Sequence, residues 1–131
     1  MAKKSILRLT GMEATVKFYG AAGSTTIALA TDLKLPTETI TTPVVNIVGF
    51  QVTGRPGAYV SIIRNGESIY DCVTDNSPEV DLLALGGVSD GTNNTSDITI
   101  TSTGGEAQLI LKLRKVSGYK TTITPEQTGI I

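Results

Sequence analysis

Four carboxylates lie close together in this sequence, Asp71, Asp75, Glu79 and Asp81, and a pair of carboxylates is all that hydrolysis of a glycosidic bond requires. Carboxylates that flank a turn more often solvate or cap it, and the residues that would complete other catalytic arrangements are missing. Histidine is absent, which removes the commonest general base, the commonest activator of a nucleophile and the commonest ligand for a transition metal. Cys72 is the only cysteine, so the chain has neither an internal disulfide nor the paired thiolates of a structural zinc site. Beside Tyr70 in an alternating segment, it reads as a small buried hydrophobe. The expectation is a protein that is not an enzyme and uses no cofactor.

Oxygen donors gather once more in Asp90-Gly91-Thr92-Asn93-Asn94-Thr95-Ser96-Asp97. Asp90, Asn93 and Asp97 are candidate ligands for a hard cation such as Ca²⁺. The segment lacks calcium-loop spacing, and Asp, Asn and Gly are also what any tight turn uses, so a connecting loop is the first reading. Asn93 and Asn94 each begin a glycosylation sequon, which carries no meaning in a chain expected to stay in the cytoplasm. Gly20-Ala21-Ala22-Gly23 and Gly104-Gly105 neither open a helix nor carry a lysine at phosphate-loop spacing, so they are turns. Lys112, Arg114 and Lys115 form a small basic stripe, suited to an acidic partner surface or simply to a solvated sheet face.

The elements that must position these residues are strands. Apolar residues alternate with polar ones, placing successive side chains on opposite faces. The pattern covers Ala14 to Tyr19, Thr25 to Ala30, Val44 to Thr53, Ala58 to Arg64, Glu67 to Val73, Asp97 to Thr103 and Glu106 to Val116. Val80 to Leu85 adds a short strand or a single helical turn ending in Gly86-Gly87. In Val44 to Thr53 both faces are partly apolar (Val45, Ile47 and Val48 beside Phe50 and Val52), as expected for a central strand covered on both sides. Asn65-Gly66 between two such runs is a hairpin signal, because both residues accept the positive φ of a type I′ turn. About eight short strands separated by turns predict an all-β, antiparallel sandwich, Ig-like or jelly-roll-like. Residues 1–118 form its single domain and residues 119–131 an extended C-terminal arm with scattered apolar anchors.

The totals narrow the partners. Eleven Lys and Arg stand against 12 Asp and Glu, a formal charge of -1, which gives no broad field to hold a polyanion, so nucleic acid is not expected. Charged residues are 18% of the chain, below the roughly 25% of average proteins. No run approaches the ~18 consecutive apolar residues of a membrane span. Lys3 to Leu9 and the arm from Tyr119 are the expected contact elements, with Lys3, Ile6, Tyr119, Ile123, Ile130 and Ile131 the residues that would touch a partner.

From Arg64-Asn65-Gly66 and Ile69-Tyr70-Asp71, through Gly86-Gly87-Val88-Ser89 and Asn94-Thr95-Ser96-Asp97-Ile98, to Leu109 through Tyr119, the order of motifs resembles small virion structural proteins of tailed bacteriophages. The resemblance covers roughly residues 58–119. It implies a β-sandwich that decorates or cements a capsid, assembled in the host cytoplasm, with the major capsid protein or another virion protein as partner. Self-association, as a monomer or trimer on the shell, and a neck or tail location stay open. The alternative is a carbohydrate-binding or adhesion module, with a shallow site built from the loop Ser89 to Asp97 and from Tyr59 and Tyr70.

Overall fold

Period-two alternation becomes two antiparallel sheets in the computed structural model, which describes residues 3–74, 79–81 and 94–121. Among the described residues nine strands form: β1 (Lys3–Leu9), β2 (Glu13–Gly20), β3 (Gly23–Ile27), β4 (Glu38–Gly54), β5 (Tyr59–Arg64), β6 (Glu67–Val73), β7 (Glu79–Asp81), β8 (Ile98–Thr103) and β9 (Ala107–Thr121). A five-stranded sheet has the order β1-β2-β9-β4-β7, and a four-stranded sheet the order β3-β8-β5-β6. The expected β-sandwich is the fold. The strand beyond the expected eight is β1, whose sequence alternates poorly because it is exposed on both faces.

Between the sheets lies one apolar core. The five-stranded sheet contributes Val16 and Phe18 from β2, Ile47, Phe50 and Val52 from β4, and Leu109, Leu111 and Leu113 from β9. Opposite them stand Ile27, Val60, Ile62, Ile98 and Ile100 of the four-stranded sheet. Leu29 and Leu33, from the connection between β3 and β4, are fully buried and close one end.

β4 corrects the sequence reading. Ile47 pairs with Leu113 and Gly49 with Lys112, so Val48 is an extra residue opposite one step of β9. This bulge shifts the alternation by one position, and Val45, Ile47, Phe50 and Val52 all reach the same core. The run that looked apolar on two faces is apolar on one, in two phases. Val48 is left half-buried on the outer side.

Asn65 and Gly66 adopt φ of 51° and 75° and join β5 to β6 as expected. At the other irregular site, Gly118 has φ of +87°, and a Cβ there would lie 2.5 Å from Pro43 Cα and 2.7 Å from the Thr41 carbonyl. Glycine lets β9 continue past this crossing to Thr121, where it pairs with Glu38. Residues 119–121, expected to begin the arm, are therefore strand, because Tyr119, Lys120 and Thr121 find partners in Ile40, Thr39 and Glu38.

Candidate docking surface

Two cations of the sequence are sealed inside the sandwich. Arg64 is 2% exposed, and its guanidinium donates from Nη1 to the Val45 carbonyl at 2.6 Å, from Nη2 to the Asn94 and Ser96 carbonyls at 3.0 and 2.8 Å, and from Nε to Ser96 at 3.1 Å. Burial pulls it down to about 10, opposed by the Asp97 carboxylate and by Tyr119, so it stays charged at neutral pH. Lys115 donates to Glu38 Oε1 at 2.7 Å and to the Thr10 carbonyl at 2.9 Å, and lies 4.4 Å from the centre of the Tyr119 ring. Glu38 Oε1 also accepts the Leu35 N–H at 2.8 Å. Both cations and the Glu38 carboxylate are paired, as buried charges require. The cluster ties the β3–β4 connection and the segment before β8 to the sheets.

This arrangement revises three expectations. Lys115 does not join Lys112 and Arg114 in a basic stripe: it continues the inward period of Leu109, Leu111 and Leu113, while the other two face out. Tyr119 is half-buried and donates its hydroxyl to the Leu29 carbonyl at 2.6 Å, with burial and the Glu38 and Asp97 charges raising its pKa well above the ordinary phenol value. The expected contact residue therefore serves the fold from within. Of the candidate calcium ligands, Asp90 and Asn93 lie outside the described residues, and Asp97 Oδ1 accepts the Leu29 N–H at 2.9 Å. The carbonyl oxygens of Asn94 and Ser96, which a cation-wrapping loop would turn toward its metal, turn toward the Arg64 guanidinium instead. Among the described residues no three His, Cys, Asp or Glu side chains converge.

The outer faces of the two sheets differ in chemistry. On the four-stranded sheet the register aligns Ser24, Thr101, Ser61 and Asp71 in one row and Thr26, Thr99 and Ile63 in the next. Ser61 donates to Asp71 at 2.6 Å, and the hydroxyls of Ser61, Ser68 and Tyr59 hold that carboxyl below its ordinary range. Tyr59 pairs with Val73 on this exposed face, whereas Tyr70 turns inward and meets Phe50 edge-on at 4.5 Å. The two tyrosines therefore cannot line one sugar site, because they sit on opposite faces of the sheet. Cys72 is half-buried against the core, its thiol pushed up first by desolvation and then by Asp71.

The five-stranded sheet turns cations outward. Phe18 and Val16 face the core, so Lys17 and Thr15 face out, and the register places Ser5 and Arg8 of β1 and Ile110 and Lys112 of β9 beside them. Lys3 lies opposite Tyr19, and Arg114 opposite Glu13. Lys3, Arg8, Lys17, Lys112 and Arg114 thus share one face with Glu13, which pairs with Arg8 at 2.8 Å, with Glu106 beside Arg55 at one end, and with the register positions of Glu79 and Asp81 on β7. A chain of charge -1 carries a basic side, which the charge total cannot show. Two adjoining depressions of about 410 and 280 Å³ lie around the β4 bulge, sharing Glu13, Val48 and Leu113 and rimmed by Arg8, Lys112 and Arg114.

β1 borders this face and is the outermost strand of its sheet. Ile6 is 38% exposed and Leu7, the extra residue of a bulge between Ile6 and Arg8, is 53% exposed. Lys4 leans inward to Asp32 at 2.6 Å, fastening the strand to the other sheet's margin, while Lys3 is exposed. A bulge and two lysines discourage strand addition. Of the expected contacts, Lys3 is on this surface, Ile6 lies opposite the core residue Val16 on the inward side of the edge strand, and Ile123, Ile130 and Ile131 lie outside the described residues. The basic face was not legible in the sequence, because its members come from three strands. No helix among the described residues is long and apolar enough to cross a membrane. Comparison with protein families, with curated proteins and with solved structures finds no match to this chain.

Proposed function

We propose that this chain is a non-catalytic structural protein that docks in many copies on a larger protein lattice, as a decoration or cement protein on the head of a tailed phage. The motif resemblance supplies the identity of the lattice, with the major capsid protein as partner. The observation that carries docking is the outer side of the five-stranded sheet, where an edge strand with the exposed bulge residue Leu7 borders five outward cations. Exposed apolar side chains beside unpaired charge mark surfaces that bind protein. The buried Arg64 and Lys115 clusters make the platform rigid, so docking requires little ordering of the chain.

A carbohydrate-binding module is the second reading, and it has its own observation: the row of Ser and Thr hydroxyls around Tyr59 and Asp71 on the opposite face. Polar groups that fix a sugar and one exposed aromatic ring suit a shallow site. Sedimenting the purified chain with expanded empty heads, and applying it to a glycan array, separates the two. Stoichiometric binding to heads with a blank array is the expected result; glycan binding without head binding would transfer the function to the four-stranded sheet.

A further inference from the structure

We infer that the depression around the β4 bulge is the specific docking site, and that its occupant is an acidic peptide segment carrying apolar side chains, displayed by the partner protein. The inference rests on the docking function above and names the partner's chemistry.

Three features define the occupant. The first is the bulge itself. Val48, the extra residue of β4, is pushed to the outer side of the sheet and stays half-buried there. Met12, 77% exposed, and Val116, 50% exposed, line the same hollow. They sit together because the Lys115 N–H donates to the Met12 carbonyl at 2.8 Å, holding the β1–β2 turn against β9. Val116 faces out through a second irregularity, since Val44 pairs with Ser117 and Val45 with Lys115, skipping it. Two departures from regular register thus place apolar side chains at one spot.

The second feature is the rim. Lys112 and Arg114 are exposed and have no ion-pair or hydrogen-bond partner among the described residues, whereas the two interior cations are fully partnered. A guanidinium left open on a rim is a fork for carboxylate. Glu13 answers Arg8 and leaves the other two unanswered. The third feature is shape. The two adjoining hollows are lined by residues of β1, β2, β4 and β9, a span that fits a peptide segment. For single-stranded nucleic acid, stacking platforms would be needed, and the ring on this face, Tyr19, is already covered by Lys17 at 5.1 Å.

The test uses the full chain and a fluorescein-labelled peptide of alternating Asp and Leu, a matched peptide with Lys in place of Asp, and a labelled DNA duplex, read by anisotropy with and without added salt. The Asp-Leu peptide is expected to bind and the other two not, with affinity lowered about tenfold or more by K112E/R114E and, less steeply, by K112Q/R114Q. Salt weakens it by screening these exposed charges, and V48S, which leaves every charge in place, lowers affinity by removing the apolar contact. Circular dichroism confirms that each variant is folded. Preferential binding of DNA, binding of the Asp-Leu peptide that ignores all three variants, or no binding would overturn the inference. Self-association on sedimentation velocity with no peptide bound would assign the hollow to a second copy and also overturn it. The same variants on phage heads separate the two levels. Wild type that fails to sediment with heads refutes the docking reading; wild type and K112E/R114E that sediment equally refute only the site.

Discussion

Arg64 and Lys115, inside the sandwich, and Lys112 and Arg114, on its outer face, are the same residue types put to opposite uses. The interior pair is surrounded: Arg64 by the carbonyls of Val45, Asn94 and Ser96, and Lys115 by Glu38, the Thr10 carbonyl and the Tyr119 ring. The outer pair has nothing to hold among the described residues. Charge that is satisfied within the chain belongs to the scaffold, and charge left open at an apolar hollow is offered to something else. The comparison separates structure from site in a protein where composition and net charge do not.

If the interior cluster is scaffold, breaking it must cost stability. The largest loss is expected for Glu38→Ala, which leaves Lys115 buried without its carboxylate, about 3–5 kcal/mol by urea unfolding followed by circular dichroism. Arg64→Ala removes four donated hydrogen bonds and orphans the carbonyls it served, and is expected to cost about 3 kcal/mol. A neutral result for either would mean that the interior charges are solvated in solution and that the contrast with the outer face is false.

Tyr119→Phe is the next step down, about 1 kcal/mol for the hydroxyl donated to Leu29. It also has a signature in pH. The folded state raises the Tyr119 pKa above 10.0, so it holds the phenol proton more tightly than the unfolded chain. That contribution is complete below about pH 10 and is lost as pH rises beyond it. Wild type should therefore lose stability on this alkaline limb more steeply than Tyr119→Phe, and equal slopes would show that the phenol is free. Smallest is K112E/R114E, within about 0.5 kcal/mol of wild type, although it is expected to abolish docking. A large destabilisation there would show that the outer cations hold the fold, and would erase the contrast.

Much of this fold was legible because strand periodicity and turn chemistry are local. Ala107 to Leu113 alternates because one face is core, and Asn65-Gly66 turns because both residues tolerate positive φ. The Val48 bulge was not legible: a one-residue shift of phase and a strand buried on both faces give the same apolar run, and only the pairing with Lys112 and Leu113 tells them apart. Lys115 was missed for a related reason. A lysine after Arg114 reads as surface until Glu38, far away in sequence, is brought opposite it. β1 was seen as a contact segment but not as a strand, since an exposed edge strand need not alternate. The basic face draws on β1, β2 and β9, and that convergence is a property of topology.

The central claim is that the five-stranded sheet is the side that meets the partner lattice. A reconstruction of heads decorated with the purified chain, imaged by electron cryomicroscopy, tests it most directly. The account predicts that the face bearing Arg8, Lys112 and Arg114 lies against the shell, with the Tyr59 and Asp71 face toward solvent. Heads that remain bare, or decorated heads with the four-stranded sheet against the shell, would contradict it.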